Sequence, residues 1–273
     1  MKRVFVTGAN SGIGLALSKQ LCAEHGCHVY LGSRSSERGA AAVKSVQEHF
    51  LGASVELVVI DVSTDASVAA AAAAVQDSLP TGEKLYAVVN NAGTGLAHKG
   101  VTPSDIVNVN LRGAKRVCDA FVPLLGARGR VVNTGSGAGP MFVSKQTPAF
   151  QKRLCGALTW EEIEAAIAEG LRSDSMGGYG VSKALLSCYT MQLAQQHPAL
   201  MCCCLSPGFI ATAIVAGFGA KKQPEEGTVS LRHCLFADLP AAASGWFWGS
   251  DAQRSPLHVM RNPGEPMYDG SLP

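Results

Sequence analysis

Charge is scarce in this chain of 273 residues: Asp, Glu, Lys and Arg make up 16% of it, and 23 basic against 21 acidic side chains leave a net charge of +2. No basic block extends beyond Lys221-Lys222, so the electrostatic footprint of a nucleic-acid or anionic-membrane partner is missing. Long apolar runs are missing too. Although 47% of the residues are apolar, no run approaches the roughly 18 residues of a membrane span. The opening Met-Lys-Arg-Val-Phe-Val-Thr-Gly is too short in apolar residues for a signal peptide, and a strand is expected to begin at once. No Cys-x-x-Cys pair occurs among the nine cysteines. Cys202, Cys203 and Cys204 are consecutive; on a strand they alternate faces and cannot close one tetrahedral metal site. An odd, scattered set reads as small buried hydrophobes in a reducing compartment, and points to the cytosol. Histidines 25, 28, 49, 98, 197, 233 and 258 form no cluster, and no metal is assigned.

What is present is a rhythm. Runs rich in Val, Leu and Cys predict strands at Arg3–Val6, His28–Gly32, Ser54–Ile60, Leu85–Asn90, Arg130–Thr134 and Leu200–Leu205, with a short last one near Trp246–Trp248. Helical patterns lie between them: Ile13–Glu24 ending at Gly26, Ser36–Glu48, the alanine-rich Val68–Val75 behind Thr64-Asp65, Ser104–Leu125 and Gly180–Gln195. This alternation predicts an α/β fold with a Rossmann-type doubly wound parallel sheet flanked by helices, in a single domain over residues 1–273.

The first strand runs into Thr7-Gly-Ala-Asn-Ser-Gly-Ile-Gly14. Gly8, Gly12 and Gly14, with Asn10, Ser11 and Ile13 between them, would let backbone N–H groups approach a pyrophosphate at the positive end of the next helix. Such a fold selects NAD with an acidic residue about 20 residues further on. Here the second strand ends Leu-Gly-Ser-Arg-Ser-Ser-Glu, and Arg34 stands where the acid is expected. A guanidinium holds a 2′-phosphate that a carboxylate would repel. NADP(H) is therefore the expected cofactor, with Glu37 keeping NAD as the alternative.

Tyr179 and Lys183 are four apart in Met-Gly-Gly-Tyr-Gly-Val-Ser-Lys, which stacks both side chains on one face of a helix. Together with the glycine loop, Asp61-Val62, Asn90-Asn-Ala-Gly93, Asn110, Ser136 and Pro207-Gly208 with Thr212, they give the chain its resemblance, from end to end, to the short-chain dehydrogenase/reductase family. The resemblance implies roles. Asp61 would meet the adenine with Val62 beside it. Asn90, Ala92 and Gly93 would line the cofactor near its ribose and nicotinamide. Thr212, behind Pro207 and Gly208, would hold the carboxamide. Asn110, Ser136, Tyr179 and Lys183 match the catalytic tetrad, with Lys183 also on the nicotinamide ribose, Asn110 positioning a water, and Thr134 as understudy to Ser136.

Those residue types suit the chemistry. Hydride delivery to a carbonyl builds charge on oxygen that must be hydrogen-bonded and then protonated. A cation about 4 Å from a phenol is worth roughly 4 kcal/mol at an effective dielectric of 20, enough to lower its pKa by up to about three units. Lys183 is thus expected to bring Tyr179 into the useful range. The expected activity is NADPH-dependent reduction of an aldehyde, ketone or quinone, with Tyr179 as general acid. The alternatives are a biosynthetic alcohol dehydrogenase or ketone reductase on a terpenoid, steroid or alkaloid, and a non-catalytic NADP(H)-binding regulatory protein.

Residues 137–178 separate Ser136 from Tyr179 and are too many for a bare loop. Thr159-Trp-Glu-Glu162 is a capping box, and Ile163, Ile167 and Leu171 recur every fourth residue, which predicts a short amphipathic helix on the surface. This insertion resembles that of the monomeric carbonyl reductases and related plant-type ketone reductases, and a monomer acting on a small-molecule carbonyl substrate is expected. Phe142, Phe150 and Trp160 are candidates for pocket wall or for packing. Ile210–Gly219 reads as a flap, with Phe209 and Phe218 facing the pocket. The tail from about 251 to 273 reads as irregular chain anchored by Met260 and Tyr268.

Overall fold

The structure, a computed structural model, describes residues 1–95 and 97–271; the last two residues of the expected tail lie outside them. Seven parallel strands form one sheet: β1 (Arg3–Val6), β2 (His28–Ser33), β3 (Ser54–Val59), β4 (Leu85–Asn90), β5 (Leu125–Thr134), β6 (Met201–Leu205) and β7 (Phe247–Trp248). Their order is β3-β2-β1-β4-β5-β6-β7. The chain reverses its winding between β1 and β4, and in such a sheet that crevice lies outside the carboxyl ends of the strands.

Both faces of the sheet are buried, which is why its strands read as continuous apolar runs. Phe5, Val88, Val131, Cys202 and Cys204 pack on one side, and Val4, Val6, Ala87, Val89, Val132 and Cys203 on the other. The three consecutive cysteines alternate faces as expected of a strand. Helices α1 (Gly12–His25) and α2 (Ser36–His49) cover the second face, together with a later helix over Val229–Phe236. Helix α3 (Asp65–Ser78) lies on the first. Gly26 ends α1 in the left-handed conformation, φ 56°.

The expected continuous helix Ser104–Leu125 is broken into parts. Thr102 and Asp105 form a capping box for α4 (Pro103–Val107), a π turn covers Asn108–Arg112, α5 runs over Gly113–Phe121, and a 3₁₀ turn at Val122–Leu124 leads into β5. Pro123 has no N–H to continue the helix. A π turn inserts one residue into the ladder and is frequent at functional sites; here it carries Asn110.

The insertion holds three helices rather than one: α6 (Ala138–Val143), α7 (Pro148–Leu154) and α8 (Trp160–Ser173). The Thr159–Glu162 capping box opens α8, and Ile163 and Ile167 are buried. Arg112 grips Glu164 through two hydrogen bonds of 2.8 and 2.6 Å, pinning α8 beside the π turn. Phe142 and Phe150 meet edge to face in the core, and Trp160 meets Tyr189 in the same way. All three therefore pack the insertion and do not line a substrate wall. Helix α9 (Tyr179–Gln196) follows, and α10 (Val229–Phe236) precedes β7. The sequence reading omitted α10, although its buried Leu231, Cys234 and Leu235 have helical spacing.

A buried polar chain ties the centre. Asn90 Nδ2 donates to Asn133 Oδ1 at 2.9 Å, and Asn133 Nδ2 donates to Thr190 Oγ1 at 2.8 Å, linking β4, β5 and α9. Asn133→Ala removes both buried hydrogen bonds at once, and a loss of about 2 kcal/mol is expected in urea denaturation.

Candidate active site

The glycine loop is shaped by its neighbours. Gly8 has φ +62°, and a Cβ there would lie 2.8 Å from Ala92 Cα; one on Gly14 would lie 2.5 Å from Asn91 Nδ2 and 2.6 Å from the Gly8 carbonyl. Asn91 Nδ2 donates to the carbonyls of Thr7 (3.0 Å) and Gly8 (3.2 Å), while Thr7 Oγ1 accepts from the N–H groups of Asn91 and Ala92, both at 3.0 Å. The resemblance placed Asn90 along the cofactor near its ribose and nicotinamide. Strand geometry instead sends Asn90 inward, to Asn133 and Cys118, and Asn91 braces the loop. Its place inside Asn90-Asn-Ala-Gly93 was the available signal.

Ser11 caps α1 by position but gives it no side-chain hydrogen bond, and the first turn holds no acidic residue. Its N–H donors and the positive helix end are left for an anion. The Thr212 methyl would lie 3.3 Å from a Cβ on Gly12, so the flap stands over the loop. Asn10 and Ser11 are accessible, whereas Ile13 packs against Gly227. Arg34 is exposed beyond β2. Burial alone would raise the Asp61 carboxyl, but hydrogen bonds from Ser63 (side chain 2.6 Å, backbone 2.9 Å) and the Arg34 charge hold it below the usual range. The Arg34 charge thus reaches Asp61 at the expected adenine end. The Val62 side chain is a core residue beside Gly113.

The four catalytic candidates come from three segments: the π turn, the turn after β5, and α9. Asn110, 2% exposed, accepts from Thr94 N–H at 2.8 Å and donates to Thr94 O (3.0 Å) and Ser182 Oγ (3.2 Å). Its side chain ties the loop after β4 to α9. Ser136 follows β5; its Oγ accepts from Ala138 N–H at 3.2 Å, and its hydroxyl lies close enough to the Tyr179 phenol to favour the phenolate. Tyr179 opens α9. The N-cap position is Gly178, which has no side chain; the insertion's Asp174 acts in its place, accepting from Met176 N–H at 2.8 Å and Val181 N–H at 2.9 Å. Sequence reading missed that cap because Asp174 lies outside the adjoining position.

Lys183 is 5% exposed and donates from Nζ to the Thr134 carbonyl at 2.7 Å. Its ammonium lies 5.7 Å from the centre of the Tyr179 ring. Burial pushes Lys183 down to about 8. Burial pushes the Tyr179 phenol up, and only the Ser136 hydrogen bond opposes it. The expected lowering of Tyr179 by Lys183 is therefore reversed in this state: the ammonium is turned to a carbonyl, and desolvation dominates. The phenol stays protonated, as a proton donor requires. Thr134 Oγ1 is buried without a hydrogen-bond partner among the described residues, while its carbonyl takes the Lys183 ammonium.

The surrounding loops converge. Ser206 Oγ accepts from Gly137 N–H (3.1 Å) and Gly208 N–H (3.3 Å), joining the turns after β5 and β6, the latter through Pro207. Gly93 lies beside Asn110 Oδ1 and Ile214. The flap is pinned at its neck by Ala211 N–H to Lys222 O at 2.8 Å, and Phe209 and Phe218 are 51% and 57% exposed. From the tail, Met260 lies over Gly137, while Tyr268 and Trp246 flank Arg254. Tyr268 is an anchor as expected; Met260 reaches the site itself.

The family model for short chain dehydrogenase matches residues 2–148. Among curated proteins, (+)-neomenthol dehydrogenase of Arabidopsis thaliana is 30% identical over 270 residues, covering 84% of this chain and 90% of that protein. Carbonyl reductase (NADPH) 1 of Homo sapiens is 30% identical over 268 residues, covering 88% and 92%. Among solved structures, salutaridine reductase from Papaver somniferum superposes with a TM-score of 0.77 at 26% identity, covering 90% of this chain and 99% of that one.

Gly95 leaves no slack beside the phenol: a Cβ there would lie 2.8 Å from Ile214 Cγ2 and 3.3 Å from Tyr179 Cδ2 and Cε2. Gly95→Ala is expected to displace the flap or the ring, costing about 1–3 kcal/mol by overpacking, read by chemical denaturation and by altered aromatic NMR shifts of Tyr179.

Proposed function

We propose that this chain, which belongs to the short-chain dehydrogenase family, is an NADPH-dependent reductase of small carbonyl compounds. The observation that carries this reading is the buried Lys183 ammonium, held by Thr134 O at 2.7 Å and 5.7 Å from the centre of the Tyr179 ring, with Ser136 beside the phenol at the end of the same strand. The uncapped α1 terminus and the braced glycine loop suit a pyrophosphate, and exposed Arg34 suits a 2′-phosphate. A relative named carbonyl reductase (NADPH) 1 supports the same choice.

When bound, the nicotinamide supplies the hydride. The chain's own residues prepare the oxygen. Ser136 donates a hydrogen bond to the substrate oxygen as charge grows there, and Tyr179 gives up its proton to that oxygen. Lys183 places a positive charge behind the phenol, favouring the phenolate that proton transfer leaves. Asn110 holds the Thr94 loop against α9, so that Gly95 and the ring keep their contact. The enzyme is read as a cytosolic monomer, with α8 covering part of α9; among the described residues no helix is long and apolar enough to cross a membrane.

A second reading narrows the substrate to a multi-ring or terpenoid ketone. The exposed Phe209, Phe218 and Met260 give the rim of the site an apolar surface, and the names neomenthol dehydrogenase and salutaridine reductase agree with it. A purely regulatory protein has no use for an acid with a buried cation one turn along the same helix.

Tyr179→Phe is expected to lower kcat by about 10²–10⁴-fold while NADPH still binds, in steady-state assays over a carbonyl panel paired with fluorescence titration. Arg34→Asp should reverse the preference of NADPH over NADH; unchanged preference would remove Arg34 from the cofactor argument. Reductive kcat/KM reports free-enzyme ionisations. Since the charged Lys183 is the active form, kcat/KM should hold below pH 8 and fall as pH rises through about 8, and a profile flat to pH 10 would separate Lys183 from the chemistry.

A further inference from the structure

We propose that a second ligand site, for a small aromatic ammonium compound, lies between α5, α8 and α9. A cleft of about 500 Å³ opens there, within the size range of small-molecule sites. Two helix faces of matching spacing form it. Lys115, Cys118 and Asp119 come from α5, and Tyr189, Gln192 and Gln196 come from α9. Trp160, in the first turn of α8, lines it as well. None of Asn110, Ser136, Tyr179 or Lys183 lines this cleft. Tyr189 lies ten residues along α9 from Tyr179, about 15 Å at helical rise.

Its chemistry selects a cation with a flat apolar body. Gln192 Oε1 is buried and has no hydrogen-bond partner among the described residues, so the site holds an acceptor that calls for a donor. Lys115 is bound to Asp119 at 2.5 Å and lies 5.2 Å from the centre of the Trp160 ring. That ring already receives a cation on its face. Glu161, also lining the cleft, is exposed and without an ion-pair partner among the described residues. One cation against two carboxylates leaves the cleft negative. The C-terminal end of α9, at Gln196, adds the negative end of a helix. Cys118 is pushed up to about 11 by burial, so its thiol stays neutral and adds no charge to the cleft. A ligand that stacks on Trp160 and donates from an ammonium to Gln192 Oε1 uses each of these features.

The test uses the full chain and 2-phenylethylamine at neutral pH, followed by two-dimensional NMR of the indole and side-chain amide N–H groups. Saturable shifts of Trp160 and Gln192 are expected, with a dissociation constant on the order of 1 mM. They should persist with NADPH bound. Gln192→Leu and the exposed change Glu161→Gln should each weaken binding by about fivefold or more, with retained NADPH affinity showing that the variants fold. The proposal is overturned by the absence of saturation at about 10 mM probe. It is equally overturned by shifts centred on the Asn91 and Asn110 amides that NADPH abolishes, by variants that bind as tightly as the parent, or by the same shifts on raising protein concentration alone, which would assign the cleft to a second copy.

Discussion

A buried ammonium held by one carbonyl governs this molecule. Lys183 is shut away from water, and its bond to Thr134 O at 2.7 Å is the contact that compensates for lost hydration. That bond fixes α9 against the end of β5. Ser136 lies two residues beyond Thr134, and Tyr179 one helical turn before Lys183. A single hydrogen bond therefore sets the relative positions of three reactive side chains. Two turns further along α9, Thr190 accepts from Asn133 of the same strand. The two bonds together hold helix and strand in register, so the phenol cannot slide without breaking buried polar contacts.

The remaining ties act at the carboxyl edge of the sheet, where the strands release their chains into loops. Asn91 joins the glycine loop to the turn after β4, Asn110 joins that turn to α9, and Ser206 joins the turns after β5 and β6. Each uses a short polar side chain to satisfy backbone groups that leave a ladder. The result is a rigid rim, over which the exposed flap and tail side chains offer an apolar surface.

Much of this was legible in the chain. Strands buried on both faces leave runs of Val and Cys that no alternating pattern disguises, and the glycine loop and the Tyr179–Lys183 spacing announce themselves through local geometry. The failures share a cause. Asn90 and Asn91 are adjacent and alike, and only the pleat of β4 decides which one reaches the loop. Asp174 caps α9 from outside its first turn. Phe142, Phe150 and Trp160 carry equal promise as wall or as packing until the neighbouring helices are in place. The sign of the Tyr179 shift was misjudged because spacing gives the distance between two side chains but not the desolvation of either.

The sequence by itself determined the alternation of strands with the helices that cross between them, the glycine-loop entry to α1, and the one-turn stacking of a phenol and an ammonium, because each follows from contacts within a few residues. Tertiary structure alone decided that Thr134 takes the ammonium, that Asn110 serves as a tie, that Met260 returns to the site, and that burial holds the phenol protonated. These depend on groups brought together from distant segments, and on the exclusion of water, which no short stretch of chain encodes.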